Sequence, residues 1–484
     1  MSFLDTADLL FKEWVVDNIS AVIFFDLAFW DNGQSGEVVA PAVVCWLAAA
    51  ACFFTLRFRF VNVRGFRHGT EVVRGLYTRA DDKGEISPFQ ALAAALSATV
   101  GLGNIAGVAT AIGLGGPGAV FWMVLAGALG MSSKFAEVTL AQMYRVTRVD
   151  GHVSGGGMHY LKSGLAELGW PRLGAVLATV FAVMCIGASF GGGNMYQANQ
   201  SFAQVANVFP AFAGTAGSVA FGLLLAVLVG LVIIGGIKRI GDVASVLVPV
   251  MCGIYVAAGF AILALHWSEI PAAFATIVRG AFAPDAAFGG FVGVLIMGFR
   301  RASFSNEAGC GSAPIAHSAA TSAEPVRQGM VALLEPFIDT VIVCQMTALV
   351  VIVTGAHTHP EAGSGIALTS WAFNSVFPGF EYVLSLTAFL FAFSTMISWS
   401  YYGEQCWAHL LGVRSLLAYK LVFLLFTIAG AIFTATAVLD FGDLMILGMA
   451  FPNLVGVAML SGKIKAAMDD YFTRLRAGQF QRTR

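Results

Sequence analysis

Charge is scarce in this chain: Asp, Glu, Lys and Arg together make up 11% of the 484 residues, against roughly 25% in an ordinary soluble domain. That scarcity excludes a water-solvated surface over most of the molecule. The 27 basic and 28 acidic side chains nearly cancel, so the balance itself points to no partner, and nucleic acid is not expected as one. Cysteine is sparse too. The seven residues, at 45, 52, 185, 252, 310, 344 and 406, lie singly inside apolar stretches with no CxxC, which argues against a disulfide framework or a zinc site. The eight histidines are scattered, mostly in loops, without an HExxH. Gly187-Ala-Ser189-Phe-Gly191 matches a nucleophile elbow, but that motif needs a strand-to-helix turn and a triad histidine, and here it falls within an apolar helix. With no clustered acid, base or metal set, neither an enzyme nor a cofactor is expected.

What the chain has in excess is apolar length. Hydrophobic residues make up 58% of it, in recurring runs of about 20, each long enough to cross a bilayer as a helix. Eleven spans are predicted, at about 38–56, 89–112, 118–142, 174–202, 216–236, 243–266, 286–313, 329–354, 379–403, 416–436 and 442–462. Ahead of them, residues 1–37 carry seven acids against one lysine, which predicts a retained extracytoplasmic segment rather than a cleaved leader. Ile19 to Trp30 mixes apolar and polar residues, as in an interfacial helix.

The basic residues orient the spans. The loop over 57–88 holds Arg57, Arg59, Arg64, Arg67, Arg74, Arg79 and Lys83. With Arg145, Arg148, Lys162, Arg172, Lys238, Arg239, Arg327, Arg414 and Lys420, and the tail over 463–484, they all fall on one side if the N-terminus is outside and the C-terminus cytoplasmic. The outer segments then keep only Lys12 and Arg279, beside acids such as Asp26, Glu269, Asp285, Glu381 and Asp440. With the span over 38–56 set aside as an extra helix, ten remain. They divide into a first repeat over 89–266 and a second over 286–462. Five is odd, so the second repeat enters the membrane from the opposite side, an inverted-topology repeat.

Each repeat opens with an interrupted helix. The first is broken at Val100-Gly101-Leu102-Gly103-Asn104 and Gly107, and the second at Ser305-Asn-Glu307-Ala-Gly309-Cys-Gly311-Ser312. In lipid an unwound backbone is tolerated only where it lines a cavity, and paired breaks in two halves point to the binding site of a secondary transporter. Gly101 and Gly103 let a ligand approach the main chain. The half-helix resuming at Asn104 offers N–H groups to a carboxylate, and the one ending near Val100 offers carbonyls to a cation. Glu307 is an acid inside a span, with Arg300 and Arg301 one to two turns earlier as expected partners in an ion pair or gate. Lys134 with Glu137 forms a second expected pair, and Glu335 and Asp339 are read as structural. Ser394, Thr395 and Ser398 share one helical face, and their hydroxyls suit a hard monovalent cation. Asn194 and Gln197 place amides at membrane depth.

Thr99-Val-Gly-Leu-Gly-Asn-Ile-Ala-Gly107, Gly115-Gly-Pro-Gly-Ala-Val-Phe-Trp122, Lys134-Phe-Ala-Glu137, Gly193-Asn-Met-Tyr-Gln-Ala-Asn199, Gly235-Gly-Ile-Lys-Arg-Ile-Gly241, Phe304-Ser-Asn-Glu-Ala-Gly309, Gly311-Ser-Ala-Pro-Ile-Ala-His317 and Ser398-Trp-Ser-Tyr-Tyr-Gly-Glu404 together resemble the alanine/glycine:cation symporter family. The resemblance runs from about 37 to 460. It implies an all-α integral membrane fold, one extra helix followed by the five-plus-five inverted-repeat core of sodium-coupled amino-acid transporters. It also implies inward movement of a small neutral amino acid, alanine or glycine, with Na⁺ as coupling ion, across a cell membrane such as the bacterial inner membrane. By motif match, Gly101, Gly103 and Asn104 hold the amino-acid backbone and Gln197 adds a polar contact, while Phe202, Phe304 and Trp399 wall its side chain. Sodium maps to carbonyls near Ser97 and Val100, facing Ser394, Thr395 and Ser398. The chain departs from the family pattern at Leu102, Ala302 and Cys310, and Leu102 lies in the unwound segment itself. Proton coupling through Glu307 and a preference for glutamine are the alternatives within the same fold. A channel or a substrate-sensing receptor is the alternative of another class.

Overall fold

The computed structural model describes residues 18–28, 39–79, 82–282, 290–480 and 482. Most of the acidic N-terminal segment with Lys12, the stretch 283–289 with Asp285, and Arg484 lie outside the described residues. Helices dominate. In chain order they are α1 (Ala42–Arg57), α2 (Pro88–Thr99), α3 (Gly103–Gly115), α4 (Ala119–Met143), α5 (Pro171–Val208), α6 (Thr215–Ile233), α7 (Gly236–Leu265) and α8 (Ile270–Phe282). The second half continues with α9 (Gly290–Asn306), α10 (Ala313–Ser318), α11 (Pro325–Val353), α12 (Ile366–Val376), α13 (Phe380–Leu411), α14 (Val413–Ile432), α15 (Ala435–Gly448) and α16 (Ala450–Arg476). Among the described residues the sheet content is one hairpin, β1 (Val146–Thr147) with β2 (Val153–Ser154).

Among the described residues eight helical runs are long and apolar enough to cross a bilayer: α4 to α7, α11, α13, α14, and the one through α15 and α16. The bent pair α2–α3 makes a ninth when taken as one span. The predicted first and seventh spans coincide with the shorter helices α1 and α9, of 16 and 17 residues.

Local sequence explains the starts and the interruptions. Helix α2 opens on a capping box: the Ser87 hydroxyl accepts from the Gln90 N–H, and the Gln90 side chain accepts from the Ser87 N–H, with Pro88 at the first helical position. It stops at Thr99, and the chain bends by 53° before α3. The first turn of α3, Gly103–Gly107, is widened into an underwound π-turn, a feature common at functional sites. Helix α5 carries another such turn at Gly191–Met195. There a Cβ on Gly193 would lie 2.2 Å from the Trp399 ring, so glycine is required for α5 to approach α13. In the second break Glu307 takes φ 54°, joined by Gly309 at 93° and Gly311 at 85°. A left-handed glutamate is uncommon and marks a strained position.

Helix α4 packs along α9 and α11, α5 along α13, α6 along α14, and α7 along α2. The basic face is closed by Arg145, which donates to the carbonyls of Lys83, Ser318, Ala320 and Ser322. Elsewhere a cleft of about 720 Å³ is lined by Thr110, Gln200, Gln204, Asn207 and His357 among others.

Candidate functional site

The two breaks meet in the centre of the bundle. Asn104 donates through Nδ2 to Ser305 Oγ at 3.1 Å and to Asp339 Oδ1 at 2.6 Å. Its Oδ1 accepts from the Gly101 N–H at 2.8 Å. One fully buried amide therefore ties the first unwound segment to the second and to α11. The next amide, Leu102 N–H, donates to Gln197 Oε1 at 3.1 Å, and Gln197 Nε2 in turn donates to Gly192 O at 2.9 Å. The Gly103 N–H has no hydrogen-bond acceptor among the described residues. Because α2 ends here, its last carbonyls lose their helical donors: no described backbone N–H bonds the carbonyl of Ser97 or Val100.

Around this backbone lies a narrow cavity lined by Ala98, Thr99, Gly103, Gly192, Gln197, Phe304, Ser305, Glu307, Trp399 and Ile446. Its free space is about that of a single water. Phe304 meets Tyr196 edge-on, ring centres 5.5 Å apart, and Tyr196 also lines the 720 Å³ cleft. That ring pair stands between the cleft and the cavity. Glu307 accepts from Trp399 Nε1 at 3.1 Å and from the Ser312 hydroxyl, which fixes the indole as a wall.

Behind the unwound segment sit the hydroxyls of α13. A Cβ on Gly101 would fall 2.5 Å from Thr395 Oγ1 and 3.0 Å from Gln197 Oε1, so glycine is needed for this approach. Thr395 Oγ1 and Ser398 Oγ are buried with no hydrogen-bond partner among the described residues, unusual for buried hydroxyls in a helix. The Ser394 hydroxyl is used by its own helix, donating to Phe391 O at 2.9 Å, while the Ser394 carbonyl accepts from Ser97 Oγ at 2.6 Å. The end of α2 thus meets α13 through the Ser97–Ser394 bond and the Gly101–Thr395 approach, with these two hydroxyls and two carbonyls unpaired among the described residues.

Of the sequence-predicted residues, Gly103, Gln197, Phe304 and Trp399 line the cavity, and Gly101 and Asn104 brace it. Phe202 does not reach it: its ring packs against Phe221, 5.7 Å between centres, because it lies beyond Gln197 on the side of α5 turned to α6. The predicted pairing of Glu307 with Arg300 and Arg301 is also corrected. Both arginines turn to Asp443 on α15, Arg300 at 2.7 Å and Arg301 at 2.6 Å. The φ of Glu307 carries its carboxylate off the helix line, toward α13. Lys134 likewise pairs with Glu335 at 2.9 Å, whereas Glu137 accepts from Asn453 Nδ2 at 2.6 Å.

Asp339, structural on the sequence alone, belongs to the central cluster, accepting from Asn104, Ser305 and Thr340 at 2.6 to 2.8 Å. All its donors are neutral and it is fully buried. Its signal in the sequence was an acid inside an apolar span, which also described Glu335.

Comparison with known proteins agrees with this architecture. The profile of the sodium:alanine symporter family matches residues 30–484. The sodium/alanine symporter AgcS of Methanococcus maripaludis is 39% identical over 436 residues, covering 90% of this chain and 94% of that protein. The Bacillus subtilis protein described as "Probable sodium/glutamine symporter GlnT" is 36% identical, covering 90% and 89%. Among solved structures, MhsT in complex with L-phenylalanine aligns over 80% of this chain and 99% of its own at a TM-score of 0.53 and 14% identity, a likeness of fold.

Proposed function

The chain belongs to the sodium:alanine symporter family, and from that premise we propose that it couples inward movement of alanine or glycine to Na⁺ by alternating access around the cavity at the two breaks. The observation that carries this reading is the unwound segment, which has ligand groups on both sides. Toward the cavity, the unpaired Gly103 N–H faces the place of a substrate carboxylate, and Glu307 and Thr99 face that of an ammonium group. On the side of α13, the unpaired carbonyls of Ser97 and Val100 and the unpartnered hydroxyls of Thr395 and Ser398 supply the oxygens for Na⁺. Cation and substrate thus order the same few residues, so each raises the affinity for the other. Phe304, Trp399 and Ile446 wall a cavity whose free space is about one water, so it must open to admit substrate, and alanine or glycine requires less opening than glutamine.

The same proposal takes the membrane topology as eleven spans, α1 as the extra helix and α2 and α9 as the openings of two inverted halves, with the basic face cytoplasmic. Uptake of a labelled amino-acid panel into proteoliposomes tests the reading. Accumulation of alanine or glycine driven by an inward Na⁺ gradient, and lost when Li⁺ replaces it, is the expected result. Preference for glutamine overturns the substrate assignment. A second reading, proton coupling, draws on Glu307, a buried carboxylate on the cavity whose hydrogen-bond donors are a hydroxyl and an indole. Uptake that ignores Na⁺ and follows the pH gradient would replace the sodium reading with it.

A further inference from the structure

A separate crevice of about 350 Å³ lies between α2, α7 and α11, away from the central cavity. Its walls are apolar: Phe89, Leu92 and Leu96 from α2, Val248 and Pro249 from α7, and Leu334 from α11. Its rim is formed by the short helix Phe66–Val73 and the residue that follows it, Arg74. We propose that this crevice binds an anionic phospholipid, one acyl chain lying between α2 and α7 and the phosphate held by Arg74.

Three observations carry the assignment. First, α7 carries exposed apolar surface next to the crevice: Val246, one helical turn before Pro249, is 67% exposed. An apolar surface of this kind on a membrane helix is covered by acyl chains. Second, Arg74 is exposed and makes no ion pair with the described residues. The described acids nearest to it in sequence are engaged elsewhere: Glu71 takes Arg67 at 3.4 Å and Arg482 at 3.1 Å, and Asp82 takes Arg327 at 3.2 Å. A lone guanidinium at the mouth of an apolar slot matches a phosphate joined to a hydrocarbon chain, and neither part alone. Third, Lys238 and Arg239 begin α7, whose Gly241 lies against Gln90 and Ile86 at the start of α2. They add positive charge on the same basic face, which favours an anionic over a zwitterionic headgroup.

The site has a consequence for the proposed transport cycle. Helix α2 ends at the break beside Gly101, so a chain wedged against Leu92 and Leu96 rests on the half-helix whose tilt changes the cavity.

Binding is tested without transport. The detergent-purified protein is titrated with phosphatidylglycerol or with phosphatidylcholine of the same acyl chains, and adducts are counted by native mass spectrometry. One phosphatidylglycerol should be retained at several-fold lower concentration than phosphatidylcholine, the preference vanishing in Arg74→Gln and persisting in Arg74→Lys. Location is read from Cys252, a half-buried residue of the same crevice. In a Cys45→Ser, Cys52→Ser background, phosphatidylglycerol should slow its maleimide labelling several-fold. Equal retention of the two lipids, a preference that survives Arg74→Gln, or unaltered Cys252 labelling overturns the proposal. Because none of these readouts requires uptake, their failure is distinct from failure of the symport reading.

Discussion

Asn104 and Asp339 meet through a 2.6 Å hydrogen bond between an amide nitrogen and a carboxylate, across 235 positions of chain. The same amide holds the Gly101 N–H and the Ser305 hydroxyl. Replacing it with a methyl group leaves buried donors and acceptors without partners, a cost of about 1–3 kcal/mol for each group stranded. Asn104→Ala should therefore lower the initial rate of sodium-driven alanine uptake in proteoliposomes by tenfold or more. A variant with near-normal uptake would remove Asn104 from the site.

The orphaned hydroxyls give a prediction of a different kind. Thr395 Oγ1 and Ser398 Oγ have no hydrogen-bond partner among the described residues, so removing either takes away no hydrogen bond seen there. Thr395→Ala should keep its melting temperature in detergent close to that of the parent, while the Na⁺ concentration for half-maximal uptake rises several-fold. An unchanged sodium dependence would place the cation elsewhere.

Gly101→Ala should be far more damaging than its size suggests. The added methyl would stand 2.5 Å from Thr395 Oγ1 and 3.0 Å from Gln197 Oε1, inside van der Waals contact with both. Loss of both substrate-driven and sodium-driven thermal stabilisation is expected. The double variant Gly101→Ala, Thr395→Ser retains the clash with the remaining hydroxyl and should not recover, whereas pairing with Thr395→Ala should recover in part.

Asp443 is fully buried between Arg300, a quarter exposed, and Arg301, almost fully buried. Asp443→Leu strands a buried guanidinium and should destabilise by about 3–5 kcal/mol, seen as a drop in the detergent melting temperature. Arg300→Gln should do much less, since its side chain reaches solvent and Arg301 still neutralises the acid. Equal losses in the two variants would contradict the pairing.

The Lys134–Glu335 pair, both side chains without solvent exposure, separates structure from function in the same way. Lys134→Met alone should lower stability by about 3–5 kcal/mol, and adding Glu335→Leu should restore most of it, because a buried pair is costly to break and cheap to replace whole. A double variant as unstable as the single one would mean that His317, 3.7 Å from Glu335, or another neighbour depends on the charge itself.

How much of this was legible beforehand differs from residue to residue. Gly101, Gly103 and Asn104 stood out because glycine within an apolar run is a local signal. The structure puts them where the two broken helices meet. Gln197 and Trp399 followed from the family motifs, and both line or brace the cavity. Phe202 comes with them but packs against Phe221 instead, since five positions along α5 rotate a side chain to another face and the motif does not record which helix that face meets. Asp339 was visible as an acid in a span but could not be told from Glu335. One reaches Asn104 and the other Lys134 only once α11 is set beside α3 and α4.

The sequence by itself determined the class of the molecule and the positions of its two breaks, because apolar run length and unpaired backbone groups are properties of a local segment in lipid. Which charge neutralises which was decided only by tertiary structure. Arg301 and Asp443 are 142 positions apart and Lys134 and Glu335 are 201 apart. Helical periodicity fixes the face a side chain takes, and the packing of one helix against another fixes what that face touches.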